Sequence, residues 1–183
     1  MKIYVQNLSN GKVSDDEAKK VIAAVQKQIN LDYWKFWSWR ATLKYTGANP
    51  PKAGEVSRRD DAIIYLQNQA DVPGALGYHD LTNAGLPYGF VFLDIAEQLG
   101  EPWSVTFSHE ALELLGDPEV NLLAMGPYPK RTRSVMYWYE ACDAVQAETY
   151  KIEGIAVSNF VLPLYFTVNA EAGGQNDFLD SGL

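Results

Sequence analysis

The sequence predicts an α+β domain, and three observations predict it. Two segments combine helical apolar spacing with helix-boundary residues. Several apolar or alternating runs of strand length lie before, between and after them. With 47% apolar and 13% aromatic residues in a chain of 183, there is enough to build one sizeable core. We expect a single domain over residues 1–170. Residues 171–183 are expected to form a flexible C-terminal tail, because NAEAGGQNDFLDSGL has little to bury.

The elements follow in order. KIYVQNL (2–8) alternates in character and opens as a strand. A helix over 15–30 follows. Ser14 with Glu17 makes a capping box, Asp15 and Asp16 suit the positive helix start, and Val21, Ile22, Val25 and Ile29 recur at helical spacing. LDYWKFWSWRATLKYTG is rich in rings and reads as strand-prone, with WRATLKYT alternating best. Its Trp34, Trp37 and Trp39 can be core residues, or an aromatic surface for a sugar or a base. Pro-Pro and Gly make GANPPKAGEVSRRD a loop, and AIIYLQN a short central strand after it.

QADVPGALGYHDLTNAGLPYG is turn-rich and carries His79 and Asp80, a pair expected to hydrogen-bond to each other. His79 is also a spare metal ligand. GFVFLDIAEQLG starts as a strand and runs into a helical turn. EPWSVTFSHEALELLGDP is the second strong helix, with Pro102 at its first turn and Gly116 and Pro118 at its end. VNLLAMGPYPKRTR is expected to be mostly loop and SVMYWYEACDAVQ a strand. TYKIEGIAVSNFVLPLYF is expected to form a hairpin turning at Glu153-Gly154.

Charge and composition exclude several classes. A formal net charge of −8 disfavours nucleic acid and anionic membranes as partners. The basic cluster Lys130-Arg131-Thr132-Arg133 is expected to be a solvated loop. We expect no membrane span, because no apolar run is long enough, and no signal peptide at MKIYVQNLSN. A lone cysteine, Cys142, rules out an internal disulfide. It reads as a buried structural thiol in preference to a nucleophile. No phosphate loop, dinucleotide fingerprint or serine elbow occurs.

The second helix carries the candidate chemistry. His109 and Glu113 are four residues apart, so they project from one helix face and can grip one ion. Glu110 lies about 100° round the helix. There it can act as general base on an activated water, as the acid after the first His does in a His-Glu-x-x-His motif. With only two histidines in the chain, a metal site must lean on carboxylates. YWYEACDAVQ offers Glu140 and Asp143 in an apolar setting where acids need partners. Two alternatives stand beside this. Glu110 and Glu113 can face solvent, and Glu140 can pair with Lys130, Arg131 or Arg133.

The segments GYHDLTNAGLPYGFVF, VTFSHEALELLGDP, YEACD and GIAVSNFVLPLYF are similar to a group of phage- and prophage-encoded, zincin-like proteins with a Ser-His-Glu-x-x-Glu helix. The similarity covers about residues 76–166. It implies a zincin-like mixed sheet with two main helices, the second bearing the metal. It also implies PYGFVFLDI as the sheet-edge strand that would pair with extended substrate. His109, Glu113 and Glu140 are the implied ligands of a divalent metal, zinc first, with Asp143 in support and Glu110 as base. The implied activity is that of a zinc metallopeptidase acting on a peptide or protein. The alternative is a non-enzymatic virion or host-interaction protein with virion partners. The location would be the host-cell cytoplasm or the virion. Glu113 departs from the standard motif, which has His there. That lowers the positive charge at the metal and leaves manganese, iron and calcium open.

Overall fold

The computed structural model describes residues 1–52, 54–57, 60–127, 134–167 and 174–181. Its main sheet contains β1 (Lys2–Asn7), β2 (Thr42–Gly47), β3 (Asp61–Gln67), β4 (Gly77–Leu81) and β5 (Pro87–Phe92), in the order β2-β1-β3-β5-β4. All neighbours are parallel except β4, which pairs antiparallel with β5. The fold is therefore α+β with a mixed sheet.

One expected placement is corrected. PYGFVF is not the sheet edge: β5 lies between β3 and β4, and the edge is the GYHDL strand. The turn at 82–86 explains it. Gly85, at φ 77°, lets the chain double back, with its N–H donating to Thr82 O, so the turn-rich segment becomes half of a hairpin.

Register sorts the side chains onto two faces. Ile64, Gly89 and His79 stand in one row across β3, β5 and β4, and Leu66, Val91 and Gly77 in the next. Because side chains alternate along a strand, these rows share the face that carries Ile3, Val5 and Leu43. The opposite face carries half-buried rings. Tyr65 stacks on Phe90 at 5.1 Å, and Tyr78 leans on Phe90 at 5.4 Å.

Helix α1 (Asp15–Lys27) packs Ala18, Val21, Ile22 and Val25 into the core. Ser14 Oγ accepts from Glu17 N at 3.2 Å, which is half of the expected capping box. The Glu17 carboxylate instead accepts from Trp103 Nε1 at 2.9 Å. The helix then widens into a π-type stretch (Gln28–Tyr33) and continues as α2 (Trp34–Trp37), which ends where Ser38 turns left-handed at φ 56°. The ring-rich segment expected to be strand-prone is thus helical as far as Trp37, and extended only over Thr42–Gly47. Tertiary packing outweighs aromatic strand preference here: Tyr33 stacks on Trp37 at 5.7 Å and sits edge-on to Phe160 at 5.1 Å.

The later elements are α3 (Leu93–Leu99), α4 (Trp103–Gly116), the antiparallel pair β6 (Leu123–Pro127) and β7 (Ser134–Trp138), and the pair β8 (Thr149–Ile152) and β9 (Ile155–Ser158). Part of VNLLAMGPYPKRTR is therefore strand, not loop. SVMYWYEACDAVQ stops being strand at Trp138 and ends in a 3-10 turn, Asp143–Val145. Glu153 at φ 50° and Gly154 at φ 85° make the left-handed pair that a two-residue hairpin needs.

Of the segment expected to be a tail, residues 174–181 lie docked on the body. The Asp177 carboxylate accepts from Asn159 Nδ2 at 2.8 Å, from Leu179 N at 3.0 Å and from Ser181 Oγ at 2.9 Å. Phe178 stacks on Phe160 at 5.0 Å. No helix among the described residues is long and apolar enough to cross a membrane.

Candidate metal centre

Helix α4 is buried nearly all round, as a helix at the centre of a domain is. Two residues behind it fix its position. Ser108 Oγ donates to Val105 O at 2.9 Å and accepts from Ser158 N at 2.7 Å. Ser158 O in turn accepts from Gln28 Nε2 at 2.8 Å. On its other side α4 faces the rows containing Gly77, Gly89 and His79. The glycines allow this approach: a Cβ on Gly77 would lie 2.6 Å from Phe90 O, 2.7 Å from Glu110 Oε1 and 2.7 Å from Thr106 Cγ2. The first of these is a main-chain atom and cannot swing away. Gly77→Ala is therefore expected to force β4 off α4 and to cost about 1–3 kcal/mol in urea unfolding.

Glu110 and Glu113 are both buried, not turned to solvent. His109 Nε2 lies 3.0 Å from Glu113 Oε2 and 3.3 Å from Asp143 Oδ1. The other carboxylate oxygen, Glu113 Oε1, accepts from Cys142 N at 2.9 Å. That bond ties the segment arriving from β7 to the helix, with Ala141 O accepting from Val161 N at 2.7 Å on its far side. The 3-10 turn then sets Asp143 over His109, and Glu140 points inward toward His79, with Nε2 and Oε2 3.6 Å apart. Lys130, Arg131 and Arg133, the expected alternative partners of Glu140, lie outside the described residues.

His79 is where the sequence reading falls short. It does not pair with Asp80, whose carboxylate accepts from Leu81 N at 2.6 Å, because successive strand residues face opposite ways. Its Nδ1 is 3.3 Å from Glu110 Oε2 and 3.8 Å from Glu113 Oε2. The signal that could have found it is period two. Gly77 and His79 share one face of GYHDL, and Tyr78 and Asp80 share the other.

All five residues predicted from sequence, with His79, line one pocket of about 670 Å³. No Lys or Arg is among the described residues that line it. Five carboxyl groups, Glu101 among them, line the pocket with two imidazoles, so acids outnumber the basic groups there. The protonation equilibria show the strain. Burial works against charge on His79, but Glu110, Glu113 and Glu140 outweigh it and push the ring up to about 9. Burial also opposes charge on His109, and Glu113 and Asp143 overcome it, so that ring too is raised. Burial, with Glu113 adding to it, pushes Glu140 up to about 7. Burial raises Glu110 as well, with its bond to His79 pulling the other way. The bond from His109 holds Asp143 below the usual carboxylate range.

The donor set suits a divalent cation. One donor atom each from His79, Glu113 and Glu140 lies within 4.8 Å of the others, and the same holds for His109, Glu113 and Cys142. His79 Nε2 and Glu140 Oε2 are buried without a hydrogen-bond partner, a costly state that a cation between them would relieve. Cys142 is fully buried, and burial raises its thiol well above the ordinary value, which argues against a nucleophile. Trp37 and Trp39 stack on each other at 4.8 Å within the aromatic cluster of the core, and Arg40 covers the ring of Trp34 at 3.8 Å. Comparison with protein-family models, with curated proteins and with solved structures gave no match to this chain.

Proposed function

We propose that the chain is a divalent-cation-dependent hydrolase, most simply a zinc peptidase. His109, Glu113 and Glu140 would hold the ion, with Asp143 supporting His109. The observation that carries this reading is a set of carboxylates and imidazoles around one pocket, buried or nearly so except for Asp143, with acids in excess and two orphaned donor atoms. A zincin-like assignment draws support from an edge strand running beside the helix that carries His109, and from acids arriving from downstream.

A bound divalent cation supplies Lewis acidity for activating water and polarising a carbonyl. The chain's own residues do the rest. Glu110 lines the pocket, and burial raises its proton affinity, so it can take a proton from water there and return it to a leaving group. Glu113 is held by the bond it accepts from Cys142 N, and His109 lies between the Glu113 and Asp143 carboxylates.

The test is a purified chain analysed for bound metal and assayed on a peptide library. One ion per chain, removable by a chelator, is expected, and Glu110→Gln should lower turnover by roughly 10²–10⁴-fold. Absence of any stoichiometric ion would overturn the reading. A second reading, an interaction protein on the same scaffold with virion or host partners, is favoured by the β6–β7 ribbon. That ribbon leaves Met125, Met136 and Trp138 50%, 56% and 60% exposed. Biological function that survives Glu110→Gln but fails when these side chains are changed would select it.

A further inference from the structure

Resting on the cation reading above, we propose that His79 is the second imidazole ligand of the site. The sheet edge supplies it in place of the histidine that α4 lacks at position 113, and Glu110 positions it by holding its far nitrogen.

Four observations converge on this. First, the register carries His79 to the helix-facing side of β4, opposite Gly89, and Gly77 two residues earlier lets the strand approach α4 closely. Second, the His79 side chain is only 4% exposed, it lines the pocket, and its Nε2 has no partner. Third, Glu140 Oε2 is 3.6 Å from that nitrogen and also has no partner. This gap is too long for a hydrogen bond. It is close to the roughly 3.4 Å between two donors on a tetrahedral ion with ligands about 2.1 Å away. Fourth, Nδ1 lies 3.3 Å from Glu110 Oε2. A proton on Nδ1, donated to that carboxylate, leaves the lone pair on Nε2. Carboxylates commonly orient metal-binding histidines in this way.

A bare ion pair explains less. A fully protonated His79 would carry an Nε2–H with no acceptor in reach, beside a carboxylate oxygen with no donor. Burial makes both expensive. One cation in the gap satisfies both atoms, with Glu113 near enough to share it. The assignment also changes the chemistry of the site. Glu113 belongs to both observed donor groups, one with His79 and Glu140 and one with His109 and Cys142. An ion that joins them through Glu113 would have two imidazoles, like a standard two-histidine helix, and would favour zinc or cobalt over calcium. The second imidazole comes from a strand instead of the helix.

The test uses the full chain loaded with Co²⁺ alone. X-ray absorption is expected to count two imidazoles per ion in the wild type and one in His79→Ala. Titration calorimetry should show affinity falling roughly 100-fold in His79→Ala and about 10-fold in Glu110→Gln, the range seen for outer partners. A single imidazole in the wild type, or His79→Ala binding within about threefold of it, overturns the proposal. The wild-type count depends on no variant folding. If binding is lost in Glu113→Ala but unchanged in His79→Ala, only this inference fails. If the wild type binds no ion, the cation reading fails and this inference with it.

Discussion

Replacing Glu113 by alanine is expected to abolish cation binding, and with it any hydrolytic turnover. The two oxygens of this carboxylate do different work. Oε2 lies 3.0 Å from His109 Nε2 and faces His79, while Oε1 accepts from Cys142 N at 2.9 Å. Alanine therefore removes the ligand charge and also strands a buried N–H, at about 1–3 kcal/mol. Glutamine separates the two effects. Its carbonyl can still accept from Cys142 N, so Glu113→Gln should keep most of the stability. Its affinity for Zn²⁺ or Co²⁺ should nevertheless fall by more than about 100-fold, beyond what loss of an outer partner costs. Calorimetric titration and urea unfolding of both variants read the two quantities separately. Wild-type affinity in either variant would remove Glu113 from the site.

Trp37→Ala should be the most destabilising of the substitutions considered, by about 3–5 kcal/mol. The ring is 6% exposed and stacks on Trp39 at 4.8 Å. It meets Tyr139 edge-on at 5.7 Å, and its Nε1 donates to Val161 O at 3.0 Å. Trp37→Phe keeps a ring but strands that carbonyl, so a loss of about 1–2 kcal/mol is expected. Tyr139 precedes Glu140, so the alanine variant should also loosen the segment that delivers Glu140 and Asp143, and weaken cation binding. Unfolding curves that overlay the wild type, with glycan binding lost, would reverse this and restore the aromatic segment as a sugar platform.

Legibility in the sequence followed the kind of physics that placed each element. Helix α1 was readable because Ser14, three acids and apolar periodicity all agree locally. The Glu153-Gly154 turn was readable because left-handed backbone at both positions favours such residues. His109 and Glu113 were readable as neighbours because helix geometry alone sets that spacing. The helical path through Tyr33 and Trp37 was not, since it depends on rings such as Phe160 from far along the chain. The role of His79 is not legible for a similar reason. Its face is set by pairing between β4 and β5, and its partners come from α4 and the segment after β7. Glu140 and Asp143 were found as acids in an apolar setting, but their convergence rests on the bond from Cys142 N to Glu113.

The interior position of β1, between β2 and β3, has a consequence for biosynthesis. Its neighbours on the two sides, Thr42–Gly47 and Asp61–Gln67, are made later, so β1 must wait for both. Such long-range parallel pairing is slow and leaves apolar edges open while it waits. Glu140 and Asp143, the acids of the proposed cation site, emerge later still. On the proposed cation reading, every strand of the main sheet is therefore synthesised before the donor set is complete, so an ion could not be the seed of folding.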